Sequence, residues 1–233
     1  MKRVLAFYLI VCLTVVGAAW VYERTRPAQE AAAIGSSLPV VVLDAGHGGE
    51  DGGAVTATGV YESKINLEIT LRLNDFLQLL GVPTRMVRTG DVSVSTEGET
   101  VAQRKSSDIR NRVALVESIP GCWLVSVHQN RFEQEQYRGA QVFYRSSEES
   151  KRLAQTLQEQ LCAQLDPKNS RRIKQASGIY LLEHVTCPAV LIECGFLSNP
   201  AEAQLLQQET YQRKLAAVIG CTIFQTIGAQ YEG

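Results

Sequence analysis

The chain has 233 residues, and its 23 lysines and arginines against 24 aspartates and glutamates give a formal net charge of −1 at neutral pH. This balance gives no indication of nucleic-acid binding, and a hydrophobic content of 45% argues against a disordered chain. Without an N-terminal tail, about 195 residues remain, which is enough for one domain with a hydrophobic core.

An uncharged apolar run from Val4 to Tyr22 follows two basic residues near the N-terminus. With about nineteen residues it is long enough to span a bilayer, and it is longer than the hydrophobic part of most secretory signals. We therefore predict a membrane anchor over residues 1–22 and a linker over residues 23–38. A cleaved signal is the alternative, because small residues occur in and after the run. Both interpretations export the remaining domain, residues 39–233.

Six cysteines in an exported protein would normally suggest disulfide bonds. Here they lie beside predicted core strands or within helical patterns, so we expect small buried residues with free thiols. The six are Cys12, Cys122, Cys162, Cys187, Cys194 and Cys221.

The first strong strand pattern is the β-branched run Val40–Leu43, which ends at Asp44 and is followed by a glycine-rich segment. His47 lies in that segment. Glycines on both sides leave room for a metal ion to approach its imidazole closely. Taken alone, the motif is more often a simple turn that happens to contain a histidine.

A helix is predicted over Glu62–Leu80, where apolar residues recur at helical spacing and Gly81 follows as a stop. Glu62 therefore occupies the first turn. Its carboxylate can face back over the glycine-rich segment, although an acid at this position also suits the helix dipole.

The next segments alternate between a short strand, a loop and a helix. We predict a strand at Thr84–Arg88, a long surface loop over Asp91–Ser106 and a helix over Ser107–Ser118, capped by one of the serines at its start. Arg112 in this helix is consistent with a salt bridge on the helix surface.

A third strand pattern, Cys122–Val127, places His128 at its far end, in the same position relative to the strand as His47. A strand at Ala140–Tyr144 and a helix over Ser147–Leu165 follow. The second histidine therefore also lies after a buried strand.

A basic cluster, Lys168–Lys174, comes next and includes Arg171 and Arg172. It is either a solvated charged loop or a rim that binds substrate carboxylates. Beyond it we predict a strand at Gly178–Leu182, and we expect His184 to have a structural role because it does not follow a strand.

The last strand pattern, Ala189–Glu193, ends at a glutamate. By position, Glu193 could be an acid-base residue, a fourth metal ligand or the partner of an arginine. Asn199 is predicted to cap a helix that begins at Pro200, and a final amphipathic helix is predicted over Thr210–Ile227.

The predicted fold is α/β, a three-layer α/β/α sandwich around a central, twisted, mixed but mostly parallel sheet of about six strands. In such sheets the crevice beyond the carboxyl ends of the strands is the usual functional edge. This edge would bring His47, Glu62, His128 and Glu193 together. Two neutral imidazoles and one carboxylate are a ligand set typical of catalytic zinc, which keeps a fourth position open.

Several segments resemble the zinc-dependent N-acetylmuramoyl-L-alanine amidases of the bacterial wall, family 3. The resemblance runs from about Leu38 to the C-terminus and includes DAGHGGEDGGAV, the ESK helix start, SVHQN and PAVLIECGFLSNPAEAQLL. RKSSDIRNRVALVES and SRRIKQASGIYLLEHVTCPAVLIE are most similar to the germination-specific amidase of spore-forming bacteria, which acts on the spore cortex. Arg112 matches a family arginine, whereas Arg131 departs from the small residue that is more common there.

The resemblance implies one Zn²⁺ per chain, held by His47, Glu62 and His128, with Glu193 as the catalytic residue. It implies hydrolysis of the amide between N-acetylmuramic acid and L-alanine in peptidoglycan, which releases stem peptides. The implied partners are peptidoglycan, the membrane through the N-terminal segment, an accessory protein and a deacetylase that acts afterwards. The implied location is extracytoplasmic, between the forespore membranes or in the cortex.

Two other functions are compatible with these patterns. One is a zinc carboxypeptidase-like peptidase, because related α/β/α exopeptidases use similar ligand sets. The other is an inactive, membrane-tethered module that binds or regulates the wall. The complete set of two histidines and two glutamates argues against the inactive module, which has no physical need for an open metal site.

Overall fold

The computed structural model describes residues 38–231, whose strands form a six-stranded sheet. The strands are β1 Val41–Ala45, β2 Thr84–Met86, β3 Trp123–Asn130, β4 Gln141–Tyr144, β5 Lys174–Gln175 and β6 Ala189–Phe196. Their order is β2-β1-β3-β6-β4-β5. The first four in this order run parallel, whereas β4 is antiparallel to β6 and parallel to β5. The predicted mixed, mostly parallel sheet is confirmed.

Helices cover both faces of this sheet. They are α1 Glu62–Leu79, α2 Val101–Glu117, α3 Glu148–Leu165, α4 Tyr180–His184, α5 Pro200–Leu206 and α6 Glu209–Tyr231. One hydrophobic cluster lies between the sheet and α1, α3 and α6, and a second lies between the sheet and α2 and α4. Neighbouring strand residues alternate between the two, with Leu43 in the first and Val42 in the second. The three-layer α/β/α arrangement follows from this alternation.

Helix α1 is positioned by a stripe of apolar side chains that the sheet buries. Ile65, Ile69, Leu73 and Leu77 recur every fourth residue and are almost completely buried. The helix packs on β1 and β3, so its first residue lies at the carboxyl ends of these strands. The predicted start of this helix at Glu62 is confirmed.

The predicted boundary between the loop over Asp91–Ser106 and the following helix is wrong, because α2 begins at Val101. Thr100 and Gln103 form a capping box in which each side chain accepts a hydrogen bond from the other residue's backbone N–H, over 3.2 and 3.0 Å. The first turn of α2 begins with Val101 and Ala102, but both are exposed and no apolar stripe continues from them, so hydrophobic periodicity did not reveal it. The threonine and the glutamine three residues later were the available signal.

The strand predicted at Gly178–Leu182 is also wrong, because this segment enters the short helix α4. Leu181 and Leu182 are both buried against the sheet. A five-residue run is too short for apolar periodicity to distinguish a helix from a strand. The two-residue strand β5, which begins at the last residue of the basic cluster, was not predicted, since its pairing with β4 defines it rather than its composition.

Three predictions concern features outside the sheet. The predicted anchor and all of the linker before Leu38 lie outside the described residues. Among the helices of residues 38–231, none combines the length and the apolar character that a membrane span requires. The five cysteines that the structure describes have free thiols, as predicted: Cys122, Cys162, Cys187, Cys194 and Cys221. Burial is confirmed for Cys122 and Cys194, whereas Cys162 and Cys187 are partly buried and Cys221 is exposed, so the expected burial of Cys221 is wrong.

The capping box makes the stability of α2 testable. Thr100→Ala removes the side-chain oxygen that accepts from Gln103, and we expect it to lower the free energy of unfolding by about 1 kcal/mol. Thr100→Ser keeps a hydroxyl and should stay close to the wild type. Urea unfolding followed by circular dichroism measures both, and equal stability of the two variants would contradict the role of the cap.

Candidate metal centre

Two histidines and a glutamate converge beyond the carboxyl ends of β1 and β3. His47 follows β1, Glu62 opens α1, and His128 lies near the end of β3. One ligand atom from each lies within 4.8 Å of the others. Glu62 Oε1 is 3.1 Å from His128 Nδ1, and Glu62 Oε2 is 3.4 Å from His47 Nε2. The structure therefore brings the three residues predicted as metal ligands together.

The Glu62 carboxylate is held from both sides. The backbone N–H of Ala54 donates to Oε2 over 2.9 Å, and the backbone N–H of Gln129 donates to Oε1 over 3.1 Å. The Asn66 amide adds a third donor at 3.2 Å. Burial raises the pKa of Glu62, but the two histidines outweigh it and hold this pKa well below its ordinary value. Glu62 is therefore an ionised carboxylate with a set orientation.

His47 is in a backbone conformation that is rare for residues with a side chain, with φ of 61°. Its Nδ1 lies 2.8 Å from Asp51 Oδ2, which leaves Nε2 facing Glu62. Burial lowers the pKa of His47, but hydrogen bonds to Asp51 and Glu62 outweigh this effect and raise it to about 9. The side chains of His47 and His128 are 26% and 19% exposed, so the group opens to solvent on its histidine side.

Two buried arginines hold the backbone of the loop that carries His47. Arg112 donates to the carbonyls of Ala45 and His47 over 2.9 and 2.7 Å. Arg88 donates to the carbonyls of Ala45 and Gly46 over 2.8 and 3.0 Å. Both arginines are almost fully buried, at 2% and 3% exposed. The surface position expected for Arg112 is therefore wrong.

Buried acids balance the Arg112 charge. The guanidinium contacts Asp44, at the end of β1, and Asp108 on its own helix. Ser126 on β3 also donates to Asp44, over 2.6 Å. Burial raises the pKa of Asp44, but Arg112 and the other neighbours outweigh it and lower this pKa below its ordinary value. The end of β1 is thus fixed by an ionic network beneath the loop.

Close contacts explain two of the glycines in the loop. A Cβ on Gly46 would lie 2.1 Å from His128 Nε2. A Cβ on Gly53 would lie 2.6 Å from Glu62 Oε2, and the φ of +66° at this residue further disfavours a side chain. Any larger residue at either position would displace a candidate ligand.

Glu193 lies beside this group on β6, where its Cα pairs with that of His128 across the parallel strands. Its Oε2 is buried and has no hydrogen-bond partner among residues 38–231. Burial raises the pKa of Glu193 to about 7. Within the described part of the chain, no arginine forms an ion pair with it, and it lies outside the close three-residue group. Glu193 is thus a partly exposed residue whose carboxylate has one buried oxygen and can hold or release a proton near neutral pH in the metal-free protein.

The remaining predicted residues lie outside the group. His184 Nδ1 donates to the Tyr180 carbonyl over 2.8 Å, and its ring stacks on the Tyr180 ring with centroids 3.7 Å apart. Arg171 lies 4.4 Å from the Phe196 ring centroid and donates to the Arg138 carbonyl over 2.6 Å. Arg172 is exposed. Arg171 therefore holds the basic cluster against the end of β6 and the segment before β4.

A cavity of 520 Å³ lies between Val55–Ala57 and the segment that follows β3, and its wall begins one residue after Ala54, which contacts Glu62. Arg131, Phe132 and Leu197 line it. Arg131 is exposed and makes no side-chain hydrogen bond or ion pair with residues 38–231. The residue at which this chain departs from the family pattern thus faces an open groove.

Sequence reasoning missed three residues that organise the centre: Asp51, Asn66 and Arg88. Asp51 follows His47 by four residues, and Asn66 follows Glu62 by four, so these spacings were a signal that the sequence offered for both residues. Asn66 lies one helical turn from Glu62 and also donates to the Gly46 carbonyl over 3.1 Å. Arg88 had no such signal, because it is 41 residues beyond His47 in the chain.

A family model described as N-acetylmuramoyl-L-alanine amidase matches residues 41–225, which include the whole centre and Glu193. The chain belongs to this amidase family. It is thus an enzyme with peptidoglycan N-acetylmuramoyl-L-alanine amidase activity, and the resemblance seen in its sequence is confirmed.

Individual relatives agree with this assignment. The chain is 39% identical to the germination-specific N-acetylmuramoyl-L-alanine amidase of Bacillus subtilis, over 78% of this chain and 79% of that protein. The CwlD amidase of Clostridioides difficile, solved in complex with the GerS lipoprotein, superimposes with a TM-score of 0.79 at 39% identity, over 82% of this chain and 99% of that chain. Another amidase, from Clostridium difficile 630, gives a TM-score of 0.71 at 29% identity over 83% and 99% of the two chains.

Gly46→Ala tests the close contact with His128. The added methyl group must displace the imidazole, so we expect loss of metal binding and of amidase activity in a protein that still folds. Gly90→Ala is the matched control, because a Cβ there meets no atom within 4 Å. Metal content and circular dichroism are measured on both. Stoichiometric metal in Gly46→Ala would contradict the steric argument.

Glu193→Gln tests the buried carboxylate through stability in metal-free protein. Folding raises the pKa of Glu193 from 4.5 to about 7, so folding favours its protonated form. The resulting stabilisation is complete below about pH 4.5 and is lost as the pH rises through 7. Relative to Glu193→Gln, the wild type should lose about 3 kcal/mol between pH 4 and pH 8. Urea unfolding with a chelator measures this difference, and parallel pH curves would exclude the shifted pKa.

Proposed function

We propose that this amidase is zinc-dependent, with one Zn²⁺ held by His47, Glu62 and His128 and with Glu193 as the catalytic acid-base residue. The observation that supports this most directly is the convergence of two imidazoles and one ionised carboxylate within 4.8 Å, beside a separate buried carboxylate. The first three are a ligand set that zinc prefers in catalytic sites.

The residues fit the metal in charge as well as in type. Glu62 is held ionised, and both of its oxygens already face imidazole nitrogens, so ligand orientation costs little on binding. The high pKa of His47 in the metal-free protein means that a cation would replace a proton there. The solvent-exposed side of the histidines leaves a position open for water and substrate.

Zinc, when bound, lowers the pKa of a water molecule to about 7 and polarises the carbonyl of the scissile amide. The chain itself supplies the proton transfer. Glu193 Oε2 has no partner among residues 38–231, so it is free to accept a proton from the attacking water and then donate it to the leaving nitrogen of L-alanine. Burial raises the pKa of Glu193 to about 7 in the metal-free protein, so this carboxylate takes up a proton more readily than an ordinary glutamate.

The groove beside the metal centre is the proposed site for the substrate next to the scissile bond. Its wall begins at Val55, directly after the backbone N–H of Ala54 that holds Glu62. A substrate in this groove therefore contacts a segment that is rigidly connected to a metal ligand, which fixes the amide relative to Glu193.

We extend the setting of the relatives to this chain. Its sequence similarity to a germination-specific amidase supports spore-cortex peptidoglycan as the substrate. It also supports an extracytoplasmic location, between the forespore membranes or in the cortex, with the N-terminal segment as an anchor or as a secretion signal. The complex of the Clostridioides difficile relative with a lipoprotein supports an accessory protein as partner. A deacetylase that acts on the peptide-free muramic acid would follow.

The roles of the four residues predict two distinct losses. Glu193→Ala should keep one zinc per chain but lose turnover by about 100- to 10,000-fold, because proton transfer is removed and the ligands remain. His47→Ala and His128→Ala should lose the metal itself. Glu159→Gln is the control, because Glu159 is exposed and lies outside the centre. Zinc analysis and an amidase assay separate the two losses, and zinc loss in Glu193→Ala would make this residue a ligand.

Mass spectrometry of cortex and vegetative peptidoglycan after digestion by the zinc-loaded domain identifies the bond and the substrate. Intact stem peptides with L-alanine at the N-terminus are the expected product. Release of single amino acids would instead indicate a peptidase, and no release would indicate a wall-binding module. Equal rates on both kinds of peptidoglycan would remove the support for cortex preference.

A further inference from the structure

We propose that Asp51 is a positioning residue for the metal, which keeps the ring proton of His47 on Nδ1 and thereby leaves Nε2 free as a ligand. The inference rests on the proposed zinc site and adds the residue that selects the tautomer. His128 differs, because among residues 38–231 the carboxylate that faces its ring belongs to Glu62, which is itself a proposed ligand.

The two oxygens of Asp51 face different neighbours. Oδ2 lies 2.8 Å from His47 Nδ1. Oδ1 accepts from Lys105 Nζ at 2.8 Å and from the backbone N–H of Gly53 at 3.3 Å. Asp51 thus receives donors on both oxygens. Its carboxylate pKa is held well below its ordinary value by the His47 hydrogen bond, against the effect of burial.

This arrangement selects one tautomer of His47. A carboxylate oxygen can only accept, so Nδ1 must carry the proton that it shares with Asp51. The other nitrogen, Nε2, lies 3.4 Å from Glu62 Oε2, on the side where the ligand atoms converge. Hydrogen bonding of the outer nitrogen to a carboxylate orients a metal-binding histidine and raises its basicity.

Asparagine at this position should select the wrong tautomer. Its amide oxygen would take the Oδ1 position, because Lys105 and Gly53 both donate there. Its NH₂ group would then face His47 Nδ1, and a donor at that point requires the ring proton to move to Nε2. Zinc at Nε2 would then leave the ring proton on Nδ1, facing the NH₂ group donor against donor. In the wild type the same proton keeps its carboxylate acceptor when zinc replaces the proton on Nε2. Replacement of the carboxylate by an amide in a carboxylate–histidine pair is known to act in this way.

Lys105 provides a way to reverse the effect. The lysine lies on α2 and is 52% exposed, so its ion pair with Asp51 contributes little to stability. In a Lys105→Met background the main donor to the Oδ1 position is absent, and the asparagine amide can turn its oxygen toward His47. Gly53 still opposes this rotation, so the recovery is partial.

The experiment measures the dissociation constant of Zn²⁺ alone, by competition with a fluorescent chelator, on purified chains whose fold is checked by circular dichroism. The variants are Asp51→Asn, Lys105→Met and the double variant. Asp75→Asn and Lys151→Met, both exposed, are matched controls for the two chemical changes. Amidase activity is not needed for this readout.

We expect Asp51→Asn to weaken zinc binding by about 10- to 100-fold. Lys105→Met alone should change it by less than about threefold, because its ion pair is exposed. The double variant should bind zinc several-fold more tightly than Asp51→Asn. In zinc-loaded wild type, nuclear magnetic resonance should also show a hydrogen-bonded Nδ1 proton on His47 that exchanges slowly with solvent.

Wild-type affinity in Asp51→Asn, or a double variant that binds no better than Asp51→Asn, would overturn the inference. The second outcome matters most, because a purely structural role for Asp51 predicts no recovery when Lys105 is removed. Failure of the proposed function is separate: it would appear as a wild type that binds no zinc, or as undiminished zinc binding in His128→Ala.

Discussion

The centre depends on two buried guanidinium groups that hold the carbonyls of the loop after β1. Water cannot readily replace Arg112 and Arg88 as hydrogen-bond donors to these carbonyls, since both arginines are nearly inaccessible. Arg112 comes from α2 and Arg88 from the segment after β2, so two separate elements fix the unusual backbone of His47. Because Asp44 balances Arg112, loss of either partner would leave a buried charge, at a cost of about 3–5 kcal/mol.

The same fold gives two neighbouring carboxylates opposite properties. Glu62 has backbone donors and imidazoles around it, which lower its pKa, whereas Glu193 has an oxygen without any partner among the described residues, and burial raises its pKa to about 7. Two carboxylates whose pKa values are shifted in opposite directions can take different roles, one as a permanent anion and one as a proton carrier. The strand register brings Glu193 to the centre, because Glu193 pairs directly with His128 across two parallel strands.

Most of the fold and the candidate ligands could be predicted from the sequence, because they depend on local patterns. Strands β1, β3 and β6 are apolar runs that end at polar residues, and α1 begins at Glu62 after a glycine-rich segment. The short helix α4 and the exposed start of α2 could not be predicted from periodicity, because one is too short and the other buries no apolar side chain there. Arg88 could not be found either, since its role follows from the sheet order that brings the end of β2 beside β1.

The two histidines are held by different physical means, and this difference follows from where the chain places them. His128 lies on a strand, so the backbone of β3 and the close contact with Gly46 limit its ring without a polar partner on Nε2 in the described residues. His47 lies in a loop with a strained backbone, and no strand restricts its ring. An acceptor four residues away can reach its Nδ1 because the loop closes through the bridge between Gly48 and Asp51. The glycines therefore leave space for a metal and also let the loop fold back, which brings the Asp51 carboxylate to the Nδ1 of His47.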